Sequence, residues 1–282
     1  MNGQDFLSGM AASSARRVLA ARARLPEAQL MQQALASARP PALKLSAAGF
    51  DVIAELKLRS PALGALAAAT ADLDARIAGY AAHGAAAVSV LTEPERFDGA
   101  LEHLERATRV LQGRIPAMRK DFLVDPYQVA EARVAGADGV LVILRMLARP
   151  ELDALLQRAA ELELFVLLEA FDERDIALGA ELVQRHRARQ ALLLGVNCRD
   201  LVTLQVVPGR LVALAPRLPD AVPRVAESGV DTPQAAAQLA AAGYELALIG
   251  GALMKAPDPA VLLGAILAAG RAARQGRGAT CG

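Results

Sequence analysis

The chain is poor in the residues that usually announce a site. It has no tryptophan, six phenylalanines, three tyrosines, three histidines and two cysteines in 282 residues. Two cysteines, Cys198 and Cys281, exclude a disulfide framework and make a reducing cytoplasm the expected compartment. Cys198 has no histidine placed to activate it and reads as a small filler. His83, His103 and His186 fall in helical segments with no histidine–carboxylate grouping, so no metal site is expected. The formal net charge is +1. With so few aromatics and no basic bias, neither nucleic acid nor an anionic membrane is an expected partner. The longest apolar run, Ala260 to Ala269, is too short for a bilayer, which needs about 20 residues. Arg16 and Arg17 interrupt any secretory core. Residues 11–24 share the Ala/Ser/Arg composition of transit peptides, but an amphipathic helix is the simpler reading.

What is present is regular. Apolar residues make up 54% of the chain. Strand-like runs lie near Val52–Glu55, Ala87–Leu91, Ile115–Met118, Gly139–Leu144, Leu164–Glu169, Ala191–Val196, Pro223–Ala226 and Leu246–Ile249. They are continuously apolar, as strands buried on both faces must be. Helical segments alternate with them, near 70–83, 98–112, 126–135, 149–161, 172–187, 208–215, 232–242 and 257–273. Asp125-Pro126, Thr232-Pro233 and Asp258-Pro259 supply N-caps and first-turn prolines; Gly136 and Gly243 sit where C-caps belong. No G-x-G-x-x-G follows the first strand, where Ser60-Pro-Ala-Leu-Gly64 stands. The α/β class expected is a single (β/α)8 TIM barrel at 49–270. Residues 1–48 form an N-terminal helical extension that packs on one end or reaches over the mouth. Residues 271–282 read as a flexible tail.

In such a barrel the active site gathers at the C-terminal strand ends. Those ends carry Glu55 and Lys57, Thr92, Lys120 and Asp121, Glu169, Asn197 and Arg199, Glu227 and Ser228, then Gly250 and Gly251. Glu55 and Lys57 are two apart and point the same way along an extended chain, as do Asn197 and Arg199. Glu55, Lys120, Glu169 and Glu227 come from strands one, three, five and seven, which share interior layers. Singly, each is explained by an ion pair or a solvated rim. Glu227 in particular suits a structural partner for Lys57 or Lys120, and Asp121 and Asp200 suit loop caps. Burying so many charges together is expensive unless a site uses them. Clustered cations are expected to lower the pKa of a lysine among them. Ser228-Gly229 and Gly250-Gly251 end strands seven and eight, where TIM barrels often bind phosphate through backbone N–H groups.

These residues carry a resemblance. Glu55-x-Lys57-x-x-Ser60-Pro61, Val90-Leu91-Thr92 with Phe97-x-Gly99, and Arg119-Lys120-Asp121-Phe122 with Tyr127-Gln128 resemble the indole-3-glycerol phosphate synthases of tryptophan biosynthesis. So do Asn197-x-Arg199-Asp200-Leu201, Glu227-Ser228-Gly229 and Gly250-x-Ala252-Leu253-Met254. The resemblance implies ring closure of 1-(2-carboxyphenylamino)-1-deoxyribulose 5-phosphate to indole-3-glycerol phosphate, with loss of carbon dioxide and water and no cofactor. It implies Lys120 as general acid and Glu169 as acid/base in dehydration, with Glu55 and Lys57 assisting. Ser60, Phe122, Asn197, Arg199 and Glu227 would bind substrate, and Ser228, Gly229, Gly250 and Gly251 its phosphate. Other enzymes of the tryptophan pathway are the protein partners it suggests.

The chain departs from the family pattern in places. Ala62-Leu63 replaces Ser-Lys, Leu58 replaces a basic residue, and Ala170-Phe171 follows Glu169 in place of Val-His. Gly251 stands where Glu or Ser is usual, and Pro41 to Phe50 lacks the aromatic-centred segment. Two alternatives follow: a divergent paralogue for a related anionic sugar phosphate, and a phosphate-binding barrel without catalysis.

Overall fold

The structure, a computed structural model, describes residues 3–61, 64–66 and 72–279, with side chains from Phe6 to Gly276. Eight parallel strands close into a barrel: β1 (Asp51–Leu56), β2 (Ala87–Leu91), β3 (Ala117–Lys120), β4 (Gly139–Ile143), β5 (Phe165–Ala170), β6 (Leu192–Asn197), β7 (Arg224–Glu227) and β8 (Leu246–Ile249). Each pairs with its sequence neighbours, and β1 closes the ring on β8. Continuous apolar strands are what this arrangement requires. Ile53, Met118, Leu141, Leu167 and Val225 fill the interior, while alternating neighbours such as Val52, Val88 and Val166 pack under the outer helices.

The expected caps form. Asp125 Oδ1 accepts from Tyr127 N at 2.8 Å, Thr232 Oγ1 from Ala235 N at 3.2 Å and Asp258 Oδ1 from Ala260 N at 2.9 Å. Gly243 ends its helix with φ +114°, a conformation open to glycine.

Most strands run further at their C-terminal ends than expected, while β4 stops one residue short, at Ile143. β3, β6 and β7 end at Lys120, Asn197 and Glu227, residues the apolar pattern placed beyond the strands. The ladder runs on through them, with Leu91 opposite Lys120 and Asn197 opposite Glu227. A polar side chain facing a cavity does not interrupt backbone pairing. A short hairpin, Arg59–Ser60 with Gly64–Ala65, follows β1. Ala62 and Leu63, two of the departures, lie outside the described residues, as do residues 67–71 at the start of the expected helix 70–83.

The N-terminal segment forms α1 (Gly3–Arg24) and α2 (Glu27–Ala36). α1 lies against the mouth. Arg17 pairs bidentately with Asp121 at 2.8 and 2.9 Å, and Ser14 accepts from Gln128 Nε2 at 2.8 Å. At the other end, the stretch expected to fray from Arg271 continues a helix, Pro259–Ala279. Arg271 is anchored there, donating to Phe50 O at 3.0 Å and to Asp51 Oδ1 at 2.9 Å. Low complexity hid those contacts.

Candidate active site

Each functional side chain is delivered by a strand end or the loop after it. β1 carries Glu55, and Lys57 follows one residue past its end. Lys57 Nζ lies 2.9 Å from Glu55 Oε2 and Lys120 Nζ, from β3, lies 3.6 Å from Glu55 Oε1. One carboxylate is therefore held between two ammonium groups. Burial pushes the Glu55 carboxyl up, but Lys57 and Lys120 outweigh it and the net shift is downward.

Lys120 goes against expectation. Burial does depress its ammonium, yet Glu55, Glu169 and Glu227 together raise its pKa above the ordinary value. The sequence pattern draws attention to cations; the fold surrounds this lysine with three carboxylates. It stays protonated through neutrality.

Across the barrel, Asn197 Nδ2 donates to Glu169 Oε1 at 2.6 Å, and Asn197 Oδ1 accepts from Arg199 N at 3.0 Å. One amide thus orients the β5 carboxylate and the loop that follows β6. Arg199 Nη1 donates to Leu204 O at 2.6 Å, which ties the guanidinium to its own loop. Glu227 is the outlier. It is 1% exposed, and no donor among the described residues reaches either carboxyl oxygen; the polar group beside it is the Glu169 carboxyl, a second acceptor. Burial, then the neighbouring Glu169 charge, pushes its pKa well above the carboxylate range, with Lys120 opposing.

All thirteen candidate residues line a single cavity of about 1070 Å³ at the barrel mouth. Its chemistry is divided. Charged groups of β1, β3, β5 and β7 occupy one part. Phe122, Phe97 and Phe6 wall another, with ring centroids 6.0 Å (Phe6–Phe122) and 6.1 Å (Phe97–Phe122) apart. Ser228 and Gly229, both at positive φ (+66° and +72°), and Gly250-Gly251 line it as well. Phe171, one of the departures, is a wall residue whose ring lies 4.8 Å under the Arg145 guanidinium.

Sequence reasoning missed several participants. Phe6 and Leu7 reach the cavity from α1, and Lys255 from the short helix Gly251–Lys255. No periodicity in the N-terminal segment marks them. Asp121, expected as a loop cap, does accept from Phe122 N at 2.8 Å, but it chiefly gathers Arg17, Arg119 (3.1 Å) and Thr92 (2.7 Å). Burial raises its pKa and those partners overwhelm it, holding the carboxyl far below the usual range. Asp200 caps its loop as expected, accepting from Val202 N and Thr203 N. Among the described residues no cluster of three His, Cys, Asp or Glu is placed to hold a metal ion, and no helix is long and apolar enough to cross a membrane.

A family model described as indole-3-glycerol phosphate synthase matches residues 7–264. The indole-3-glycerol phosphate synthase 1 of Streptomyces coelicolor is 39% identical over 278 residues, covering 97% of this chain and 98% of that protein. The Parafrankia sp. indole-3-glycerol phosphate synthase is 44% identical over 226 residues, covering 80% and 81%. Among solved structures, 3-hexulose-6-phosphate synthase from Salmonella typhimurium aligns with a TM-score of 0.60 at 13% identity, over 78% of this chain and 97% of that one, a likeness of fold alone.

Proposed function

The chain belongs to the indole-3-glycerol phosphate synthase family, decarboxylating lyases of tryptophan biosynthesis, and from that premise we propose how its own residues divide the reaction. The substrate carries a carboxylate on an aryl ring at one end and a phosphate at the other. A cavity with an aromatic wall, four cations (Lys57, Lys120, Arg199 and Lys255) and a glycine-lined rim suits both ends.

Ring closure joins the aryl carbon bearing the carboxylate to the ribulose carbonyl carbon. The carbonyl oxygen then needs a proton. Lys120 supplies it, because the carboxylates around it keep it charged and Glu55 holds it 3.6 Å away. Carbon dioxide leaves with its bonding pair restoring the aromatic ring. Loss of the new hydroxyl as water, with a proton from the adjacent carbon, creates the indole double bond. Glu169, oriented by Asn197, takes that proton and returns it to the departing hydroxyl, which leaves as water. Lys57 fixes Glu55 and adds positive charge for the substrate carboxylate. Arg199 and Asn197 position the sugar, with Glu227 and Ser60 beside its hydroxyls. Backbone at Ser228, Gly229, Gly250 and Gly251 receives the phosphate, glycine permitting close approach.

The observation carrying this reading is the Lys57–Glu55–Lys120 chain facing the Asn197–Glu169 pair across one cavity. Its test follows indole fluorescence as purified protein consumes the carboxyphenylamino deoxyribulose phosphate. Turnover is expected in the wild type and a loss of about 10³-fold or more in Lys120→Met, with substrate binding retained. Wild-type binding without turnover would instead favour a phosphate-binding barrel.

A further inference from the structure

Glu227 lies where another residue's side chain would be. An ideal β-carbon on Gly195 would fall 2.3 Å from Glu227 Oε1 and 3.1 Å from Leu167 Cδ1. Gly195 belongs to β6, two residues before Asn197, so both positions face the barrel interior. It stands opposite Glu169 on β5 and Val225 on β7. The Glu227 carboxyl therefore lies over the β6 backbone at Gly195, the residue paired with Glu169 on β5. That is why a group at the end of a strand, beside a large open cavity, is 1% exposed with no donor on either oxygen among the described residues.

An ionised carboxylate buried without a donor is unfavourable, and any rotamer reaching into the cavity would hydrate it. The berth over Gly195 is what makes the sunken position available. An alanine there fills the berth, and the crowding Leu167 methyl leaves no lateral room. Glu227 would then rise toward solvent and away from Glu169.

We propose that Gly195 is a positioning residue for the reaction: its missing side chain seats the Glu227 carboxyl inside the barrel against Glu169, so that the two carboxyls hold one proton between them. This rests on the proposed roles of Glu169 and Glu227. Two acceptor-only carboxylates cannot hydrogen-bond, but one carrying a proton can donate to the other. The groups facing the pair are Lys120 from β3 and Glu55 from β1. Both were described above as holding opposite charges, so neither supplies the shared proton's partner. Within the pair Glu227 is the donor, and Glu169 the acceptor that receives the proton released in dehydration.

The test is the pH profile of kcat/KM for wild type, Gly195→Ala, Glu227→Gln and the double variant, each checked by circular dichroism. Gly195→Ala is expected to lower kcat/KM by about 100-fold, the scale of a 1 Å misplacement. Its high-pH limb should move to lower pH, because an exposed Glu227 gives up its proton sooner. The double variant should be no worse than Glu227→Gln alone, since the glycine acts through that carboxyl. Wild-type kinetics in Gly195→Ala, or losses that multiply in the double variant, would overturn the inference. If Gly195→Ala does not fold, Gly195→Ala/Glu227→Ala is expected to fold, because the 2.3 Å approach to Glu227 is gone and the Leu167 methyl at 3.1 Å need give only a few tenths of an ångström; a second failure would equally overturn it. Absence of turnover in the wild type would refute the underlying reading and not the berth, which the structure of Gly195→Ala would still report through the position of Glu227.

Discussion

The two ends of the barrel both carry buried charges and treat them in opposite ways. At the floor, every strand-start carboxylate is satisfied. Asp51 accepts from Ser46 N at 2.6 Å and from Arg271 at 2.9 Å. Asp138 accepts from Ala117 N at 2.8 Å, and Glu245 from Arg224 N at 3.1 Å. At the mouth, Glu55 serves two lysines, Glu169 has one amide, and Glu227 has no donor among the described residues, only the Glu169 carboxyl beside it. Floor charges complete the fold's hydrogen bonding. Mouth charges are left over from it, facing a cavity. Function is read from that residue of unmet demand more than from the presence of charge.

The comparison can be sharpened with single substitutions. Glu169→Gln keeps the shape and the Asn197 contact but removes the base, so kcat should fall by about 10²- to 10³-fold with Tm little changed. Steady-state kinetics with a thermal melt would show it, and an unchanged kcat would break the division between the ends. Arg17→Met tests an exception, because Asp121 is a mouth carboxylate whose oxygens are satisfied, by Arg17, Arg119, Thr92 and Phe122 N. It should behave like a floor pair, costing about 3 kcal/mol of stability by leaving Asp121 short of a partner. Denaturant titration measures this; a loss of activity with no loss of stability would contradict it.

The smallest effect is at the floor itself. Burial pushes the Asp138 carboxyl up to about 6, against an ordinary value of 3.8. The folded state therefore binds the proton more tightly than the unfolded chain. That contribution is complete below about pH 4 and is lost as pH rises through about 6, an upper bound of about 3 kcal/mol. Asp138→Asn should flatten the fall in Tm across this window relative to wild type. Parallel curves would show that the group does not titrate there.

Much of this was legible in the chain before any coordinates. Uninterrupted Val/Ile/Leu runs disclosed eight strands because a closed barrel buries both faces of each. Asp–Pro and Thr–Pro pairs marked helix starts because their side-chain oxygens and fixed φ serve only there. Strand ends were harder, since Lys120, Asn197 and Glu227 look like loop residues while continuing the ladder. The direction of the Lys120 shift was not legible either: it depends on three carboxylates 65, 49 and 107 residues away in sequence. Gly195, inside an apolar strand, looks inert until the neighbouring Glu227 is seen to occupy its missing side chain. The helix from Arg271 was hidden because an Ala/Gly/Arg composition suits both a frayed tail and an anchored helix.

The most direct test sets one carboxyl from each end side by side, measuring kcat/KM and Tm for Glu227→Gln and Asp138→Asn. The account predicts a loss of about 100-fold in kcat/KM for Glu227→Gln with Tm within a few degrees of wild type, and the reverse for Asp138→Asn, whose Tm and its pH dependence change while kcat/KM does not. A Glu227→Gln protein that turns over normally but melts early would contradict it, because the unmet charge at the mouth would then be serving the fold.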